Sequence, residues 1–182
     1  MSVAERIMAA AVERLVSEGP EGLSISAVAA ASGVSRPTIY AHFGTREQLL
    51  GAALERAAKH VVSQVVEQAR GAATAADYVV EVTVAARAEF RRHPAMAPVA
   101  FPQRESILFG GDALGPEALA MARSFLGPLA ELEPRLVPDM DEITEVCVRW
   151  LLSVLLFDSE RTSTDERLRA FLHRRMVPAL GL

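Results

Sequence analysis

The chain has 182 residues, of which 51% are apolar and 23% charged, with a formal net charge of −4. That length holds one small and one larger domain with an ample core, and the acidity excludes a protein that coats nucleic acid through bulk positive charge. A single cysteine, Cys147, excludes an intrachain disulfide and a cysteine-cluster metal site.

The opening MSVAERIMAAAVERL mixes charged and apolar residues, which reads as an amphipathic helix and not as a signal peptide. The spacing predicts a helix from about Val3 to Ser17 that buries Val3, Ile7, Ala11 and Leu15 and ends at Gly19-Pro20-Glu21-Gly22. The next stretch, Leu23 to Leu50, reads LSISAVAAASGVSRPTIYAHFGTREQLL. Ser24 is placed to cap a helix that runs to Ser32 with Val28 inward. Gly33 then allows a left-handed residue, so that the chain reverses within Gly33-Val34-Ser35 while Val34 fills the gap between helices.

Ser35 caps a second helix, Arg36 to Phe43, with Pro37 in the first turn where a missing N–H is harmless. A 3.6-residue period puts Ile39 and Phe43 on the inner edge and Pro37, Thr38 and Ala41 on the outer one. Arg36, Tyr40 and His42 flank that outer strip, within reach of phosphate oxygens or base rims, and the small groups between them suit contact with thymine methyls. Arg46 opens the following helix, where unpaired amides and a cation together attract a phosphate. Such a helix-turn-helix presents its second helix to the major groove of duplex DNA.

Through Gly19, Val28, Ala29, Gly33, Val34, Ser35, Pro37, Thr38, Tyr40, His42, Phe43, Glu47 and Leu49, the segment resembles the DNA-binding domain of TetR-type one-component transcriptional repressors. The resemblance implies DNA contacts from Ser26, Arg36, Pro37, Thr38, Tyr40, His42 and Arg46, and Ser35 at the same edge completes the candidate set. Arg46 stands where relatives usually carry Lys, and Ala41 where a larger residue is frequent. Residues 1–50 carry four arginines against five glutamates. Affinity is therefore expected from few phosphate contacts per subunit, with a modest salt slope.

From Arg46 to about Arg70 the pattern is one helix, and a domain junction near Gly51 to Glu55 divides the chain into 1–52 and 53–182. Thr74 to Arg92 is apolar nearly all round, the mark of a central helix. His93 to Pro116, rich in Pro and Gly, can hold only short turns and loops, and helices follow over Glu117 to Leu132, Asp139 to Asp158 and Thr164 to Ala179. The longest apolar run, Val146 to Phe157, is interrupted by Arg149 and too short to cross a bilayer, so no membrane partner and a cytoplasmic location are expected. The expected fold is all-α, with about nine helices: a three-helix DNA-binding domain and a larger helical ligand-binding and dimerisation domain.

The helix from Asp139 to Asp158 carries two apolar stripes, one with Ile143, Cys147, Trp150, Val154 and Phe157, the other with Val148, Leu151, Leu152 and Leu155. Either the last helix seals the second stripe within one subunit or the two join an interface. The family resemblance implies a four-helix bundle between two subunits, giving an interface of Val148, Leu151, Leu155, Leu168, Phe171, Leu172 and Met176. A homodimer would place two recognition helices about 34–36 Å apart and require a near-palindromic operator in double-stranded DNA.

The resemblance also implies an effector pocket in the larger domain, for which Phe90, Phe101, Phe109, Met121, Phe125, Cys147 and Trp150 supply apolar material. Arg87 interrupts the central helix; it either anchors an anionic group of the effector or pairs with Glu81, Glu89 or a neighbouring helix. The four histidines are scattered and form no HExxH pair, and Gly110-Gly111-Asp112 lacks the context of a phosphate loop. No catalytic residue, metal or cofactor is expected. The function expected is a repressor released from its operator by a small apolar or amphipathic effector. A helical small-molecule-binding protein without a DNA role is the alternative, and it leaves the Arg36-Pro37-Thr38 edge without purpose.

Overall fold

A reciprocal cap opens the first helix: the Glu5 amide donates to Ser2 Oγ at 3.2 Å and the Ser2 amide to Glu5 Oε2 at 2.6 Å. In the computed structural model, which describes residues 1–92, 114–157 and 159–182, α1 then spans Val3–Gly22. Its geometry breaks at Gly19, whose φ of 74° suits a residue without Cβ. Ile7, Ala10, Ala11 and Leu15 are buried. Val3, expected inside, is 38% exposed, because the core begins one turn further along at Ile7.

Three more helices complete the N-terminal region: α2 (Ile25–Ser32), α3 (Arg36–Phe43) and α4 (Arg46–Ala69). Residues Met1–His60 form one compact unit, taking the first part of α4 with them. Its core is built from Ile7, Ala11, Leu15, Leu23, Val28, Ile39, Leu49 and Ala53, all with no exposed surface. Each of the four helices contributes, so none of these short segments has to be stable alone.

The described residues of the second unit are Val61–Arg92, 114–157 and 159–182. It contains α5 (Ala75–Arg92), α6 (Pro116–Phe125), α7 (Leu129–Leu132), a 3-10 turn (Pro134–Asp139), α8 (Met140–Leu156) and α9 (Asp165–Ala179). All nine α-helices among the described residues belong to an all-α fold. The single helix expected over Glu117 to Leu132 is instead two, α6 and α7. Pro128 has no N–H to donate and disfavours helical geometry at Gly127, which stops the first helix before the second restarts.

The centre of this unit is α5, with Tyr78, Val79, Val80, Val82, Thr83, Val84, Ala85 and Ala86 buried and α7, α8 and α9 packed against it. The Tyr78 hydroxyl donates to the Phe125 carbonyl at 2.7 Å, and burial pushes the phenol pKa up to about 12. Polar pairs flank the α5–α9 contact: Arg169 grips Glu81 in two bonds of 2.7 and 2.9 Å, and His173 Nε2 lies 3.5 Å from Asp77 Oδ1. The order of these pairs shows the two helices to be antiparallel.

This packing corrects the expected interface. Leu168, Leu172 and Met176 have no exposed surface within the single chain, because the apolar stripe of α9 faces α5. Phe171 is half-buried beside Trp150 of α8, ring centroids 5.8 Å apart, while Val148, Leu151 and Leu155 stay half-exposed on α8. Leu172→Ala is expected to lower unfolding free energy by about 2–5 kcal/mol through loss of buried methyls and the cavity left behind. Tyr78→Phe should cost about 1–3 kcal/mol by leaving the Phe125 carbonyl unpaired, and urea unfolding measures both.

Candidate nucleic-acid interface

Three local devices shape the edge that carries the candidate DNA contacts. Ser24 Oγ accepts the Ala27 amide at 3.2 Å and starts α2, and Gly33, at φ 68° and ψ 31°, ends it in the left-handed conformation. Ser35 Oγ then accepts the Thr38 amide at 3.3 Å and shares a 2.8 Å hydroxyl contact with Thr38 Oγ1. Both hydroxyls therefore lie at the start of α3, with Pro37 in its first turn.

Ile39 is fully buried and roots α3 in the core. Arg36, Pro37, Ala41 and His42 are exposed, Tyr40 is 50% exposed, and Thr38 and Phe43 are half-buried. Ser26 is exposed in the first turn of α2. The geometry thus brings Arg36, Pro37, Thr38, Tyr40 and His42 onto one short helix whose inner side is fixed, with Ser35 at its cap. The guanidinium, phenol and imidazole exposed on that helix are groups that can donate to phosphates and base edges.

Beyond α3 the chain makes a γ-turn at Gly44, where the Thr45 amide donates to the Phe43 carbonyl at 2.9 Å and φ is 73°. A reciprocal cap starts α4: the Thr45 amide donates to Gln48 Oε1 at 2.9 Å and the Gln48 amide to Thr45 Oγ1 at 3.2 Å. A Cβ on residue 44 would overlap that Gln48 oxygen. In the same turn Glu47 is held below the usual carboxylate range by a hydrogen bond from its own backbone amide and one from Thr45. Its favourable interaction with the helix start is complete above about pH 4.5 and fades as pH falls through the lowered pKa.

Arg46 is half-buried and turned inward, with Nε donating to the Leu23 carbonyl at 2.8 Å and Nη2 to the Pro20 carbonyl at 2.9 Å. Arg6 of α1 behaves alike: Nε and Nη2 reach the Ser32 carbonyl at 3.2 and 2.8 Å, and Nη2 the Gly33 carbonyl at 3.2 Å. Sequence reasoning missed Arg6, whose partners lie 26 and 27 residues away and leave no local signal. The Thr45–Gln48 cap was also missed, although the Thr-x-x-Gln spacing announces it.

In the second unit, Phe125 and Cys147 line a small apolar cavity with Val82, Thr83, Ala86, Ala122, Leu126, Val148 and Leu151. Its volume of about 40 Å³ has room for about three waters. Burial pushes the Cys147 thiol up to about 12, which favours the protonated thiol at neutral pH. Trp150 turns instead to Phe171, and Phe90 and Met121 are half-buried outside that lining. Arg87 is 2% exposed; it donates to the Thr162 carbonyl and, at 2.9 Å, to Asp165 Oδ1, so its charge is already answered by the start of α9. Phe101 and Phe109 lie outside the described residues.

Residues 7–53 match the family model described as bacterial regulatory proteins, tetR family, a span running from α1 into α4. The HTH-type transcriptional regulator Rv1255c of Mycobacterium tuberculosis is 29% identical over 178 residues, covering 96% of this chain and 84% of the relative. The matched span is a TetR-type DNA-binding domain.

The fold of the chain is similar to that of the TetR family repressor AlkX from Dietzia sp. strain DQ12-45-1b. The TM-score is 0.63 at 19% identity, over 97% of this chain and 94% of the other. AibR, solved in complex with isovaleryl coenzyme A and operator DNA, gives a TM-score of 0.56 at 16% identity over 94% and 96% of the two chains. Gly44→Ala is expected to cost about 1–3 kcal/mol, from the positive φ and the lost cap on α4. Chemical denaturation checks the value, and Gly51→Ala, in a mid-helix position with open space around it, should instead be neutral or stabilising.

Proposed function

We propose that the protein is a repressor that binds a near-palindromic operator as a homodimer and leaves it when a small apolar or amphipathic effector binds. The observation that carries this reading is α3, rooted by buried Ile39 and exposing Arg36, Pro37, Tyr40, Ala41 and His42 along one edge. Arg36 and His42 take phosphates or groove edges, Tyr40 adds a phenol, and Pro37, Thr38 and Ala41 lie against base edges and thymine methyls. Ser26 and Ser35 donate from the neighbouring helix starts. No catalytic step is assigned, and the site of action is chromosomal DNA in the cytoplasm.

Dimerisation is supported by α8, where Val148, Leu151, Leu152 and Leu155 are half-exposed and Leu156 is 41% exposed. A second copy of α8 is the partner that covers this stripe, with Phe171 of α9 beside it. The effector reading rests on the apolar lining formed by α5, α6 and α8, including Phe125 and Cys147. At about 40 Å³ that cavity requires the three helices to part before a ligand of ordinary size can enter. An effector that binds the parted state better than the closed one shifts the population away from the DNA-competent arrangement.

Sedimentation should give a particle of twice the 19.6 kDa chain mass, and Leu155→Glu should give a monomer with much weaker operator binding. Duplexes selected from a random-sequence pool should carry two inverted half-sites about one helical turn apart. A monomeric wild-type protein, or recovery of no common duplex, would refute the proposal. Arg36→Gln should weaken binding to every duplex and reduce the salt slope by about 0.9 per subunit.

A further inference from the structure

Arg6 and Arg46 come from different helices, yet they do the same thing to the backbone. Each sends its guanidinium into carbonyls at or just beyond the C-terminal end of another helix: Arg6 to Ser32 and Gly33 after α2, and Arg46 to Pro20 and Leu23 after α1. The last carbonyls of a helix have no partners within it and carry partial negative charge, so a cation there is favourable. For Arg46 the direction is informative, because its own position at the start of α4 is the positive end of that helix. The side chain reaches away from that end and back to α1.

Between these two anchors lies α3. The turn Gly33-Val34-Ser35 held by Arg6 leads directly into it, and the γ-turn at Gly44 leads out of it to Arg46. Both chain entries to the recognition helix are thus tied to α1 or its end by planar forks that fix distance and angle together. A lysine ammonium, a point charge on a flexible stem, could not hold two carbonyls in the same way.

We propose that Arg6 and Arg46 are positioning residues for operator recognition: they set where α3 sits and do not themselves bind phosphate. The proposal rests on the DNA-binding reading above and concerns which cations touch the duplex. Discrimination between a correct and an incorrect sequence depends on the placement of α3, whereas general attraction to DNA depends on phosphate contacts.

The test compares wild type, Arg6→Gln, Arg46→Gln and Arg46→Lys on two duplexes over a salt series. One duplex is recovered from a random pool with the wild-type protein, and the other is its shuffled counterpart. For both Gln variants a loss of about tenfold or more on the selected duplex is expected, with an unchanged salt slope and little loss on the shuffled one. Arg46→Lys should lose affinity for the selected duplex despite keeping the charge. A slope reduced by about 0.9 per subunit with equal losses on both duplexes, or wild-type behaviour of Arg46→Lys, would overturn the assignment for Arg46. Unchanged affinity in either Gln variant would overturn it for that residue.

Hydrogen exchange on the free proteins separates this result from failure of the DNA reading itself, and it also reads a variant too unstable to assay. Amides of Ile39 to Phe43 should exchange faster in both Gln variants than in wild type, relative to the core of the second unit. Equal exchange would contradict the positioning role even if the wild type bound no duplex.

Discussion

The burial of Ile39 is the contact on which the N-terminal unit depends. An eight-residue helix has too few internal hydrogen bonds to persist alone in water, so α3 exists because its inner edge is part of the core formed by α1, α2 and α4. With Ile39 held, Pro37, Tyr40 and Ala41 face outward. The exposed edge from Arg36 to His42 is a consequence of one buried isoleucine and of the caps at Ser35 and Gly44.

Charge sorts itself by the same logic. Residues 1–60 carry as many glutamates as arginines and lysines, so bulk attraction to DNA is weak. Within that even balance Arg14 pairs with Glu18, Lys59 with Glu55, and Arg6 and Arg46 hold main-chain carbonyls. Arg36 is the cation on α3 itself, which suits a protein that selects a sequence over one that coats the chromosome. The second unit follows a parallel rule: Arg87, the buried cation of α5, is neutralised by Asp165 and the Thr162 carbonyl. A charge interrupting an apolar helix here closes the fold by joining α5 to the start of α9.

Much of the DNA-binding unit was legible in the sequence because its signals are local. Ser24, Gly33 and Ser35 each act within four residues, and Ile39 follows from the helical period. The break between α6 and α7 was equally local, written in Gly127-Pro128, but the apolar pattern on either side outweighed it. Other features were not local. The period of Leu168, Leu172 and Met176 announces a buried stripe without saying whether the cover is α5 of the same chain or a second copy; the fold answers with α5. Likewise Arg6 and Arg46 look like surface cations until a carbonyl more than twenty residues away is brought beside them.

The central claim, that the outward edge of α3 is the surface that meets DNA, is tested most directly by hydrogen exchange with and without a selected duplex. Added protection concentrated in Arg36 to Phe43 and the first turn of α2 is the expected result. Protection elsewhere, with α3 exchanging as freely in the complex as in the free protein, would contradict it.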